Sequence, residues 1–133
     1  MSIRKDYIER LIEQFAAALA RILKAHQEQR PEEARRLVRD TALSALGMDY
    51  DALLLGDAAS TARMLGDAPR VKVLARLVAE DGEALHQQGD AATARARFQY
   101  ALALYAEARA LGLLPDAGDT STQERLQARL SAP

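Results

Sequence analysis

Two histidines, His26 and His86, are the first side chains to weigh for acid–base or metal chemistry, because imidazole changes charge near neutral pH and binds metals. Each falls near the polar C-terminal end of a long predicted helix, where a cationic imidazole is drawn to the negative end of the helix dipole. A helical metal site wants a second ligand four residues on. At that offset from His26 stands Arg30; from His86 it is Asp90, with the helix-breaking Gly89 between them. Asp49, Asp51 and Asp57 could offer oxygen ligands to a hard cation, but the twelve-residue frame of an EF-hand is missing, and capping of short helices accounts for them. Ser44, Ser60, Thr61 and Ser121 have no histidine nearby in sequence, so nothing local activates them as nucleophiles. Gly47, Gly56 and Gly66 stand too far apart to cradle a phosphate and lack the Gly-Lys-Ser/Thr ending. With no cysteine, thiolate nucleophiles, thiolate metal sites and disulfides are excluded.

The densest basic cluster is Arg30, Arg35, Arg36 and Arg39. Glu32 lies one turn before Arg36 and Asp40 one turn after it, so much of that charge is answered locally and a solvated helix face is expected. No aromatic residue interleaves the cluster, and no continuous basic stripe follows it. With a formal net charge of -1, nucleic acid is not expected as a partner.

Helices must position all of these groups, because the chain is rich in Ala and Leu and poor in β-branched runs. From Ile3 to about Gln29, apolar residues recur at steps of four and three through Ile8, Ile12, Phe15, Leu19 and Ile22. Pro31 suits the first turn of a second helix, whose inward face is Ala34, Leu37, Val38, Thr41, Ala42, Ala45 and Leu46 and whose stop is Gly47. Between Gly47 and Asp67, alternating Asp and Gly predict two short helices, near Tyr50 to Leu55 and Ala58 to Leu65, with Leu53, Leu54 and Leu55 as a plug against the core. Asp67 and Pro69 open a long helix with Leu74, Leu77, Val78 and Leu85 on one face, ending at Gly89; Asp90 caps the next, which runs to Leu111. Ser121 and Glu124 have capping-box spacing and predict a last short helix over Thr120 to Leu130. The expected layout is one helical domain over 1–133: a hairpin at 3–46, a short-helix junction at 47–67, a hairpin at 68–112 and a short helix at 120–130.

Within the second hairpin, Gly82, Leu85, Gly89, Ala94, Phe98 and Ala101 fall at spacings that resemble one tetratricopeptide-type repeat. In that pattern small residues let two helices approach and the aromatic fills the gap between them. Asp81 stands where a large apolar residue is usual, and Ala106 where a terminal proline would be. Glu32, Glu33 and Ala34, followed by Val38 in place of the aromatic, give a fainter echo upstream. The opening Asp6-Tyr7-Ile8 helix and the Gly47-Met48-Asp49-Tyr50-Asp51 junction also resemble a group of small bacterial helical proteins with no assigned function. The resemblance implies an all-α stack of antiparallel hairpins in a tetratricopeptide-like arrangement, with a groove between successive first helices.

These readings converge on a non-enzymatic interaction or scaffolding module that uses no cofactor and associates with itself. The first helix carries more apolar residues than one face can use, since Leu11, Phe15, Ala18 and Ile22 are offset from Ile8, Ile12, Leu19 and Leu23. That excess suits a homodimer seam through the first helix. The candidate contact residues are Phe15, Arg35, Arg36, Arg39, Tyr50 and Tyr100. The alternative is a small-molecule sensor or enzyme with a pocket beside Gly47 to Asp51, which requires His26 or His86 within reach of Asp49, Tyr50 or Asp51. No run approaches the roughly 20 apolar residues of a membrane span, and Met1 to Asp6 lacks the apolar core of a secretory signal, so a cytoplasmic protein is expected.

Overall fold

The computed structural model describes residues 3–132, which form helices and turns without a strand among the described residues. α1 spans Ile3–Gln27 and α2 spans Pro31–Thr41, continued by a π-helical turn at Ala42–Leu46. Two short helices follow, α3 (Tyr50–Leu53) and α4 (Ala58–Leu65), then the long pair α5 (Ala68–Gln87) and α6 (Ala91–Ala110), and last α7 (Ala117–Ser131). The chain is all-α, as expected. No helix among the described residues is long and apolar enough to cross a membrane.

Aspartates start these helices. The carboxylates of Asp49, Asp57, Asp67 and Asp90 each accept the backbone N–H three residues on, which satisfies one of the donors that a helix start leaves open. At the other ends, Gly47 and Gly66 adopt the left-handed conformation (φ 72° and 91°) that a Cβ would disfavour. Arg70 supports the same two ends from α5: its guanidinium donates to the carbonyls of Leu46 (2.6 Å) and Leu65 (3.3 Å). The first helix stops at Gln27 rather than Gln29, because Gln29 itself turns left-handed at φ 56°.

α5 lies at the centre, and α1, α2, α6 and α7 pack around it. Its predicted face, Leu74, Leu77, Val78 and Leu85, is fully buried. α1 runs alongside it in the same direction, since Arg4 pairs with Asp67 near one end while His26 meets Glu80 and Gln87 near the other. α6 returns against α5 at close range. A Cβ at Gly82 would stand 2.5 Å from Cε1 of Phe98, so the small residue is what admits the buried ring, as the hairpin spacing predicted. Burial of Ala94, Phe98 and Ala101 follows from the same close approach.

Two local expectations need correcting. Of the three leucines read as a plug, Leu53 is buried, Leu54 is partly covered and Leu55 stands 88% exposed, because α3 ends at Leu53. The last helix begins at Ala117 rather than Thr120, capped by a reciprocal pair, Asp116 and Asp119, instead of Ser121 and Glu124. Lys72 on α5 binds both of those aspartates, at 3.1 and 3.0 Å, and so fixes the earlier start. α7 docks through Leu126, which is fully buried.

Candidate functional site

A cluster of charge lies inside the molecule, on the middle of α5. Glu80 and Asp81 are wholly buried, and Glu83 nearly so. A carboxylate taken out of water is tolerated when cations and hydrogen bonds replace its hydration, and each of the three has such a cage. Asp81 Oδ1 accepts from Arg35 Nε of α2 at 2.8 Å. Its Oδ2 accepts from the Tyr50 hydroxyl of α3 at 2.9 Å and from Arg97 Nε of α6 at 3.2 Å. Glu80 accepts from His26 of α1 (3.1 Å), from Arg76 one turn back on α5 (2.7 Å) and from Arg125 of α7 (2.8 Å). Arg129 of α7 grips Glu83 with two hydrogen bonds, at 3.1 and 2.7 Å, and donates a third to His86 Nε2 at 3.2 Å. Since arginine cannot accept, His86 Nε2 is the acceptor there.

The electrostatics follow from this geometry. Burial by itself pushes the Glu80 carboxyl up, but the His26 hydrogen bond and the guanidinium groups of Arg125 and Arg76 outweigh it and hold the carboxyl at about 2. Burial, then the neighbouring Asp81 charge, raise the Tyr50 hydroxyl well above its ordinary range, which keeps it a hydrogen-bond donor. A carboxylate held so far into its ionised form is a poor proton acceptor at neutral pH, so Glu80 is suited to joining helices rather than moving protons.

Sequence reasoning did not identify this cluster. Its signal was the run Glu80, Asp81 and Glu83 inside an otherwise apolar helix, with Asp81 on the inward stripe. The cluster also relocates residues read as surface. Tyr50, a candidate contact residue, is 1% exposed and its hydroxyl is committed to Asp81, so it does not face a partner. Arg35, read as part of a solvated face, turns inward to Asp81. Arg36 does stay on the surface, paired with Asp40 as expected and with Glu33 rather than Glu32. Arg39 bridges to Asp51 at 3.2 Å and lies 5.6 Å over the Tyr50 ring, a cation–π contact. Tyr100 is placed elsewhere: its hydroxyl bonds to Thr61 and to the Gly56 carbonyl, tying α6 to the α3–α4 turn. Of the six candidates, Arg35, Arg39 and Tyr50 therefore gather around the acidic cluster, while Phe15, Arg36 and Tyr100 stand apart.

At the Gly47 to Asp51 junction, Asp49 caps α3 and Asp51 holds Arg39. The histidines meet Glu80 and Arg129 instead. A groove opens on another side of the molecule, about 400 Å³ in volume, between α1 and the first half of α5. Ile12, Phe15, Ala16 and Leu19 line it from α1, Pro69, Lys72, Val73 and Arg76 from α5, and Leu113, Asp116, Gly118 and Asp119 from the start of α7 and the turn before it. Ile12 is 56% exposed and Phe15 is partly covered, so this strip of α1 leaves apolar surface in water. The other half of the first helix's apolar surface, with Leu11 and Ile22, is turned into the core. Comparison of the chain with family models, with curated proteins and with solved structures finds no match.

Proposed function

We propose that this chain is a non-enzymatic interaction module that associates with a second copy of itself through α1 and the groove beside it. The observation that carries this reading is the strip Ile8, Ile12, Phe15 and Leu19, spaced four, three and four residues apart, of which Ile12 is more than half exposed. Such spacing is that of a helix seam rather than of a solvated face. The strip is also self-complementary. Two copies of α1 laid antiparallel bring Ile12 of one beside Phe15 of the other, and Ile8 beside Leu19, which is the isologous geometry of a two-fold dimer.

The helix order favours a tetratricopeptide-like stack. In that reading α1, α5 and α7 would serve as successive first helices and α2 and α6 as second helices, which would put the groove on the side of the first helices, where stacks of this kind receive partners. The commitment of both histidines and all three α5 carboxylates to partners within the chain supports a binding role over a catalytic one. The alternative of a sensor or enzyme at the Gly47 to Asp51 junction draws no support from residues already spent on a cap and an ion pair. Static light scattering of the wild-type chain at micromolar concentration tests the proposal. A dimer mass is expected, and a monomer mass would reject the seam and leave the groove to some other helix.

A further inference from the structure

The four charged side chains in the groove's lining are all spent inside the chain. Lys72 pairs with Asp116 and Asp119 at 3.1 and 3.0 Å, and Arg76 pairs with Glu80 at 2.7 Å. A charged ligand would have to break one of these pairs to be held, and the group left behind would lose its own compensation. An uncharged surface meets no such cost, so the groove suits a neutral, apolar occupant. α1 itself carries one. Residues 14–20 of that helix include no charged side chain, and Gln14, Ala16, Ala17 and Ala20 among them are exposed. Side chains as small as these alanines let another helix come close. Phe15, Ala16 and Leu19 belong both to this run and to the groove's lining, so run and groove share one face, as a contact between two identical copies requires.

The lining also reaches the turn between α6 and α7, at Leu113. Leu111 and Leu114 on the same turn are 47% and 88% exposed. The turn is pinned at both ends: Leu113 N–H donates to the Ala108 carbonyl at 3.0 Å, and Asp116 is gripped by Lys72. Its leucines are thus held in water on ordered backbone, which spares a partner the entropy cost of fixing them. An isolated surface leucine signifies little, but two on a turn that already lines an apolar groove enlarge one patch. We infer that this turn, through Leu113 and Leu114, is the second half of the docking surface, and that, given the self-association proposed above, its occupant is the uncharged 14–20 run of a second copy's α1.

Sedimentation equilibrium of the full chain tests this with Leu114→Ser and, as a control, Leu55→Ser. Leu55 is equally exposed but lies outside the groove's lining, on the turn that Tyr100 ties to α6. Because a change enters a two-fold contact twice, Leu114→Ser should weaken the dimer at least about tenfold, whereas Leu55→Ser should leave it within about twofold. The helical circular dichroism of both variants should match that of the wild type. Raising salt from about 0.05 M to about 0.5 M should alter the wild-type dimer constant less than about threefold, since no charge meets a charge across the contact. A dimer constant that ignores Leu114, one that falls equally with Leu55, or a loss of about tenfold or more on raising salt would overturn the inference while leaving the α1 seam in place. A monomeric wild type would instead remove the seam and this use of the turn together.

Discussion

Asp81 occupies a position that helix periodicity reserves for an apolar side chain, and it is held there by two arginines and a tyrosine hydroxyl from three other helices. Because Arg35 and Arg97 are both largely covered and both paired with Asp81, Asp81→Ala takes the buried partner from two cations and should cost about 3–5 kcal/mol. Arg36→Ala, which removes exposed pairs to Glu33 and Asp40, should cost within about 0.5 kcal/mol. Urea unfolding of the two variants checks the contrast, and comparable losses would mean that the buried cage is not what holds the helices. Glu80 adds a pH dependence with a definite sign. Its carboxyl falls from 4.5 to about 2 on folding, so its contribution is fully present above about 4.5 and is lost as pH drops toward 2. The loss should amount to about 3 kcal/mol, measured as the fall in unfolding free energy across that window, and Glu80→Gln should flatten it. At this scale the sequence was readable as to residue type but not as to role. Arg35 and Asp81 lie 46 residues apart, and a pattern read one helix at a time sees a basic face and an odd acid rather than a pair.

Among the elements, α5 and α6 were the most legible, because Asp67, Gly89 and Asp90 mark their ends by local hydrogen bonding and Gly82 with Phe98 marks their contact by size. That contact makes a prediction against propensity. Alanine is the better helix former by about 1 kcal/mol, yet Gly82→Ala should destabilise by about 1–3 kcal/mol because its methyl meets the Phe98 ring. Combining it with Phe98→Leu should recover part of the loss in thermal unfolding, and additive losses would place the strain elsewhere. The start of α7 was less legible for a physical reason. Asp116 with Asp119 and Ser121 with Glu124 both have capping-box spacing, and what selects the first pair is Lys72, a residue of another helix. The π-helical turn at Ala42–Leu46 likewise meets a distant group at its end, where Arg70 of α5 donates to the Leu46 carbonyl.

For the whole molecule, the all-α class and the succession of helices followed from composition, spacing and caps, whereas the charged centre depends on which helices meet. Chemistry-bearing residues in this chain are concentrated where helices join, whereas α1 carries a strip of apolar surface, around Ile12, that is left in water beside the groove. Holding the helices together and docking a second copy therefore fall to different residues. The most direct test is sedimentation equilibrium on the wild type, Ile12→Asp and Tyr50→Phe, with unfolding measured on the same samples. Ile12→Asp changes an exposed seam residue and should weaken self-association by at least about tenfold while leaving stability within about 0.5 kcal/mol. Tyr50→Phe removes a buried hydrogen bond and should cost about 1–3 kcal/mol of stability while leaving the dimer constant unchanged. A monomeric wild type, or a dimer constant that follows Tyr50 rather than Ile12, would contradict it.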